Sequence, residues 1–377
     1  MKAFAFLAVS TALALAPALP AQIVYVGAYT NLATAPNAKG INAFRFDPAT
    51  GKLTSLGLMV ATESPSFLAL APNGKFLYAV NETDTFQGKP GGAVSAYAID
   101  RATGKLTFLN QVASKGAAPC HIVIDSSGKA ALVANYNGGN FSSFPILADG
   151  KIGEAASVMQ DSGKGPNKDR QEGPHAHQVL LADSLVLGAD LGNDHLQLFH
   201  LDAVTAKLSA AAPAFAATDP GFGPRHAAIS SDKKFIYVLS ELKSSVAVMT
   251  YDAVKGPGKL LSTVSALPAD FKGDNTAAEI ALDSKGHTLY TSNRGHDSIA
   301  VFSVDAKTGA LKLTANVKSG GKTPRNFTLD PSGKFLLAAN QDSNNIVVFK
   351  VDPATGALTP TGETAATGAP VDLLFLK

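Results

Sequence analysis

The residues of this chain best suited to chemistry sit at matching places in widely separated segments. Pro119 is followed by Cys120-His121, Pro174 by His175-Ala176-His177, Pro224 by Arg225-His226 and Pro324 by Arg325-Asn326, while Ala277 leads into Ala278-Glu279. Later in the same segments, each after an Asn or Ser, stand Glu82, Glu241 and Arg294. Half of the eight histidines fall at these places although the charged fraction is only 16%, and that bias marks a site rather than an ordinary solvated surface. A histidine near a carboxylate can move protons around neutral pH, because imidazole titrates there. Guanidinium groups beside them suit an anionic substrate or a developing oxyanion.

On this reading His177 is the general acid/base, Glu241 orients it or pairs with an arginine, and Arg225 and Arg294 stabilise negative charge. His121, His175, His226, Glu279, Arg325 and Asn326 are expected to contact substrate around the same opening. Counted from the start of each segment, His177 falls where the others carry Leu68, Ile122, Ala227, Ile280 and Phe327. A histidine at an apolar position needs a partner if buried, so a structural histidine satisfied by its neighbours is the plainer alternative. Salt bridges between neighbouring elements are the plainer alternative for Arg225 and Arg294. His175 and His177, two apart on a strand, would project to one side, but the sequence holds no second matched pair and no metal is expected. Glycine-rich phosphate loops and Gly-x-Ser-x-Gly elbows are absent from the sequence, and no cofactor is expected.

Positioning these residues falls to a repeat. A seventeen-residue pattern starts at Pro65, Pro119, Pro174, Pro224, Ala277 and Pro324, and a truncated copy starts at Pro370. A period near 50 residues means one supersecondary unit used many times. Each unit reads as an apolar run, a turn such as Asp330-Pro-Ser-Gly-Lys334, a second run, a third strand (Ile346 to Val351), a turn such as Asp352-Pro-Ala-Thr-Gly356, and a fourth strand. Four antiparallel strands per unit predict an all-β, seven-bladed propeller. The seventh blade is expected to be split, with Pro370 to Lys377 innermost and Ile23 to Tyr29 and Gly40 to Val60 completing it. That closes the ring and removes free sheet edges. Residues 22–377 form this one domain. Inner strands then begin, and second strands end, on one face of the disc, so the residues above converge there.

The net charge of +2 gives no reason to expect nucleic acid. Cys120 is the single cysteine, cannot form an intrachain disulfide, and reads as a small packed hydrophobe. Residues 1–21 read as an export signal: Lys2, an apolar stretch from Ala3 to Ala16, and small residues around Ala18 and Ala21. A periplasmic or extracellular monomer, not held in a membrane after cleavage, is the expectation. Asp161 to Gly173, polar and bearing Pro and Gly, is a candidate rim loop.

Four segments carry a more specific signal: GKGPNKDRQEGPHAHQV (Gly163 to Val179), GPRH (Gly223 to His226), SNRGHDSIAVF (Ser292 to Phe302) and PRNFTLDPSGKFLLAANQDSNNIVVF (Pro324 to Phe349). With them the chain resembles the seven-bladed lactonase family typified by bacterial propeller-type 6-phosphogluconolactonase, which also contains the fungal carboxy-cis,cis-muconate cyclase. The resemblance spans essentially everything after residue 21. It implies a catalytic histidine, two arginines and a glutamate, which fall on His177, Arg225, Arg294 and Glu241. It further implies hydrolysis of a sugar-type lactone, with His177 aided by Glu241 activating water and the arginines stabilising the tetrahedral oxyanion or holding a substrate carboxylate or phosphate. Two other functions remain open from sequence: a lactonising cyclase or isomerase using the same residues, and a non-catalytic binding scaffold. The export segment directs the substrate expectation away from a cytoplasmic phosphorylated intermediate and towards a lactone, or its sugar acid, outside the cytoplasm.

Overall fold

Turn chemistry sets the repeat. In the Asp330 turn, Oδ1 accepts the Phe335 amide at 2.7 Å and Oδ2 accepts the Ser332 amide at 3.0 Å, while Gly333 takes φ 68°, a left-handed backbone that glycine adopts without strain. Asp125 ties its turn in the same way, accepting from Ser127, Lys129 and Ala130. The outer turns use a different device: Asp47 accepts the Ala49 amide at 2.9 Å and the Thr50 hydroxyl at 2.8 Å, with Gly51 at φ 79°. Each turn reverses the chain after an apolar run, so hairpins follow one another and build four-stranded antiparallel sheets.

A computed structural model describes residues 22–376, and the expected export segment lies outside the described residues. Seven four-stranded sheets are present. The first complete blade contains Phe67–Leu70, Phe76–Asn81, Ala93–Ile99 and Leu106–Ala113; the others have inner strands Pro119–Ile124, Ala176–Ala182, Pro224–Ile229, Thr276–Leu282 and Pro324–Leu329. The seventh is split as expected. Its innermost strand Pro370–Phe375 pairs with Gln22–Ala28, which pairs with Gly40–Phe46 and then Leu53–Ala61. A short hairpin, Thr85–Phe86 with Lys89–Pro90, is an insertion that the repeat did not reveal.

Burial is deepest on the second strands and falls towards the rim. Second strands such as Ala130–Asn135 and Phe335–Asn340 are buried at every residue, while the outer strand Lys207–Ala217 is largely exposed. Apolar clusters fill the gaps between blades; one joins Tyr78, Val80 and Val94 to Ile122, Ala131 and Phe144 of the next blade. Tyrosines on second strands add a recurrent polar clasp. Tyr25, Tyr78 and Tyr290 donate to the carbonyls of Gly104, Gly150 and Gly356, each in the neighbouring blade's outer turn, at 2.8–2.9 Å. Tyr237 occupies the same register, but its buried hydroxyl has no partner among the described residues. Tyr78→Phe, which strands a buried carbonyl, is therefore expected to lower unfolding free energy by about 1–3 kcal/mol. Tyr237→Phe should leave the urea midpoint almost unchanged.

Ring closure carries a second device. Asp372, on the innermost strand of the split blade, accepts the Leu68 amide of the next blade at 2.8 Å. Burial, and then the nearby Glu279 charge, push its carboxyl up to about 8. A raised carboxyl stabilises the fold while it is protonated and loses that contribution as pH rises towards its folded value. Wild-type stability should thus decline between about pH 4 and 8 from this group. Asp372→Asn, which keeps the acceptor, should flatten that decline in urea titrations at pH 5, 7 and 9.

Candidate active site

The inner strands share a defect that creates the site. Pairing slips by one residue between Pro119 and His121, between Ala176 and Gln178, between Pro224 and His226, and between Pro324 and Asn326. The residues left over are Cys120, His177, Arg225 and Arg325. A β-bulge re-aims the side chain of its extra residue, and here it turns all four towards the axis. His177 is therefore in register with Cys120, Arg225 and Arg325, not with Leu68, Ile122, Ala227, Ile280 and Phe327. The cause is local: Ala176, not Pro174, pairs with Asp190 and takes the place of proline, while His175 sits before the strand with its amide bonded to Asp190 at 2.7 Å.

Two stacked chambers result. The upper one, about 340 Å³, is walled by Tyr29, Glu82, Cys120, Tyr136, Arg170, His177, Glu241, Thr276, Arg294 and Arg325. Below it a chamber whose volume open to a water centre is about 10 Å³ is lined by Arg225, His226, Glu279 and Asn326 among others, and shares Glu82, Cys120, His177 and Arg325 with the first. The fold thus brings eight of the ten expected site residues to one place. His121 lies outside both linings, packed on Phe67 with ring centroids 4.1 Å apart. His175 also stays outside: it stacks on Tyr136 and bonds Glu172 at 2.9 Å. Among the described residues no group of three or more His, Cys, Asp or Glu side chains is arranged to hold a metal.

Glu241 is the electrostatic centre. Its Oε1 accepts Arg170 Nη2 at 2.6 Å, and its Oε2 accepts Arg225 Nε at 3.0 Å and lies 3.2 Å from Arg294 Nη2. Burial would raise this carboxyl, but Arg294, Arg225 and Arg170 together override it and hold it at about 2. The arginines are fixed further by backbone: Arg225 donates to the Ala278 carbonyl, and Arg294 to that of Ala277 at 3.0 Å. Arg294 is lowered to about 10 by burial despite Glu241, and remains charged at neutral pH. Across both chambers four guanidiniums face Glu82, Glu241 and Glu279, so one positive charge is in excess.

The only polar partner of the His177 ring among the described residues is a weak one, the Cys120 thiol. Nε2 lies 3.9 Å from Glu241 Oε2, beyond hydrogen-bond reach, and Nδ1 lies 3.9 Å from Cys120 Sγ. The expected pairing of His177 with Glu241 is therefore not made; the carboxylate is engaged by arginines instead. Burial, then Arg225, His226, Arg325 and Arg294, lower the imidazole well below its ordinary range and keep it neutral. Cys120 is buried against the His177 carbonyl at 3.3 Å, and burial pushes its thiol up, so it contributes wall rather than thiolate.

Two features escaped the sequence reading. Arg170 lies in the segment marked only as a rim loop; Gln171 beside it is buried and donates to the Leu191 carbonyl at 2.8 Å and Asp194 Oδ1 at 2.7 Å, anchoring the loop and pointing Arg170 inwards. Tyr29 follows the second strand of the split blade, as Glu82, Tyr136 and Glu241 follow theirs and Arg294 ends its own. Carrying that register through the split blade would have found it. Its hydroxyl donates to Glu82 at 2.8 Å, and Arg325 lies 5.1 Å over its ring.

Comparison with known proteins agrees with this architecture. The family model "Lactonase, 7-bladed beta-propeller" matches residues 23–375. A 6-phosphogluconolactonase of Bacillus subtilis (strain 168) is 36% identical over 307 residues, 81% of this chain and 84% of the relative. The solved structure of the Pseudomonas aeruginosa periplasmic gluconolactonase PpgL superposes with a TM-score of 0.87 at 31% identity, covering 94% of this chain and 99% of that one. By blade number, split-blade closure and a match along nearly its whole described length, this chain belongs to the seven-bladed β-propeller lactonase family.

Proposed function

We propose that the protein hydrolyses a sugar-type lactone in the upper chamber and works outside the cytoplasm. The observation that carries this reading is a neutral His177 imidazole, its Nε2 free of the Glu241 carboxylate, facing the same cavity as the Arg170 and Arg294 guanidiniums held on that carboxylate. His177 takes the proton of the attacking water as oxygen bonds to the lactone carbonyl carbon. Arg294, in the same chamber, offsets the charge that develops on the carbonyl oxygen, and Arg225, which walls the lower chamber, adds its positive field from beneath. Glu241, low in proton affinity, holds the arginines in place rather than serving as a base. The cyclic ester is already activated, so this machinery suffices without a covalent nucleophile. Export is supported by the apolar segment within residues 1–21 and by the periplasmic gluconolactonase among the structural neighbours.

A pH-indicator assay of the purified protein on aldonolactones, with and without a 6-phosphate, tests the activity. Acid release above the spontaneous rate, retained on the unphosphorylated lactone, is expected. Inactivity on every lactone overturns the reading.

A further inference from the structure

Beneath His177 a second histidine is assembled from three different blades. His226 Nδ1 lies 3.0 Å from Glu279 Oε1, and Glu279 Oε2 accepts Asn326 Nδ2 at 2.9 Å. The opposite ring nitrogen, Nε2, is buried and has no hydrogen-bond partner among the described residues, although the residue is only 2% exposed. An unpartnered polar atom so deeply buried is costly unless it has a use. Its ring walls the lower chamber, which has room for about one water molecule. The ring packs edge-to-face on that of His177, with centroids 5.2 Å apart, and both rings line this chamber, so one water in it can reach both. Asn326 has its own anchor, accepting the Leu373 amide at 3.2 Å, so the carboxylate is aimed by a fixed group.

We propose that His226, oriented by Glu279 and Asn326, is a proton relay behind His177. This rests on the hydrolase reading above. As the attacking water loses an O–H bond, its proton passes to His177, whose imidazolium would stand among Arg225, Arg294 and Arg325. The proton then moves through one water of the lower chamber to His226 Nε2, and Glu279 balances the charge through the Nδ1–H bond. When the ring C–O bond breaks, the same proton returns to the departing alkoxide. Water is added across the ester, and the carboxylic acid formed ionises to solvent.

The groups facing His226 decide the sign. Burial, with Arg225 and Arg325, lowers the ring below its ordinary range, while Glu279 opposes that and favours the protonated form; the neutral rings of His121 and His177 pack on it edge-to-face. His226 is thereby the one of the paired histidines with a carboxylate in hydrogen-bond contact.

The test uses Glu279→Gln and His226→Gln in the full protein. If the relay operates, kcat falls about 10–100-fold with KM nearly constant, and the proton inventory in H2O/D2O mixtures changes from a multi-proton curve to a single-proton line. Independently of turnover, 15N imidazole spectra should show the His226 ring with Nδ1 protonated in wild type, and Glu279→Gln should lower its titration. Folded variants with kcat within twofold of wild type and an unchanged inventory overturn the relay while leaving the hydrolase reading intact. A wild-type protein inactive on all lactones overturns the hydrolase reading and the relay together. Spectra with Nε2 protonated and no response to Glu279→Gln overturn the relay whatever the activity.

Discussion

Glu241→Gln is expected to destabilise the protein by about 3–5 kcal/mol, the largest stability loss for a polar substitution in this fold. Three guanidiniums, from Arg170, Arg225 and Arg294, converge on its two oxygens. An amide keeps the shape and one acceptor but leaves the Arg225 and Arg294 charges, well shielded from solvent, uncompensated. Glutamine also brings an NH₂ group against donors that cannot accept it. The pH dependence has a definite sign. A carboxyl held at about 2 contributes stability above its unfolded range near 4.5, and the contribution disappears as pH falls from about 4.5 to 2. The variant should lack that acid limb, so the urea-stability gap between the two proteins narrows as pH drops. Equal unfolding midpoints at pH 7 would mean that solvent screens the cluster. Because Glu241 sets both Arg225 and Arg294, activity should fall as well, with Arg170 freed towards solvent.

Much of this was legible because the repeat writes its geometry into spacing. Turn aspartates and glycines, apolar runs and the step between segments specified seven sheets and the split closure. The same register placed Arg225, Arg294, Glu241 and Glu279 correctly, since polar residues at strand ends converge by symmetry. Three things were hidden for physical reasons. The bulge at His177 is the one the other inner strands share, but two extra residues after Pro174, with the His175 amide bonded to Asp190, disguise which residue is turned inwards. Arg170 reaches the chamber by way of a loop whose conformation depends on the tertiary contacts of Gln171, which no local pattern reports. Finally, one carboxylate can serve a histidine or several arginines. The sequence left Glu241 to orient His177 or to pair with an arginine, whereas the distances assign Glu241 to the arginines and Glu279 to His226.

His177→Asn is expected to lower kcat/KM for lactone hydrolysis by about 10²–10⁴-fold, the usual range for losing a general base. Stability should barely change, because the ring makes only 3.9 Å polar contacts and the residue lies at a bulge whose backbone asparagine can adopt. KM should also change little, since anion binding rests on the arginines. The wild-type pH profile follows from the lowered imidazole. The base is neutral at pH 7, so kcat/KM stays level through pH 6.5 and declines only in more acidic solution, as the ring takes up a proton. Bound substrate alters that limb. A phosphate or carboxylate near Arg294 and Arg325 cancels part of the field that disfavours the imidazolium, so the acid limb of kcat should lie at higher pH than that of kcat/KM. An uncharged lactone brings no such charge, and its two limbs should nearly coincide. His177→Asn with wild-type turnover, or identical limbs for charged and uncharged substrates, would remove His177 from the role of base and point to Glu82, the remaining carboxylate of the upper chamber.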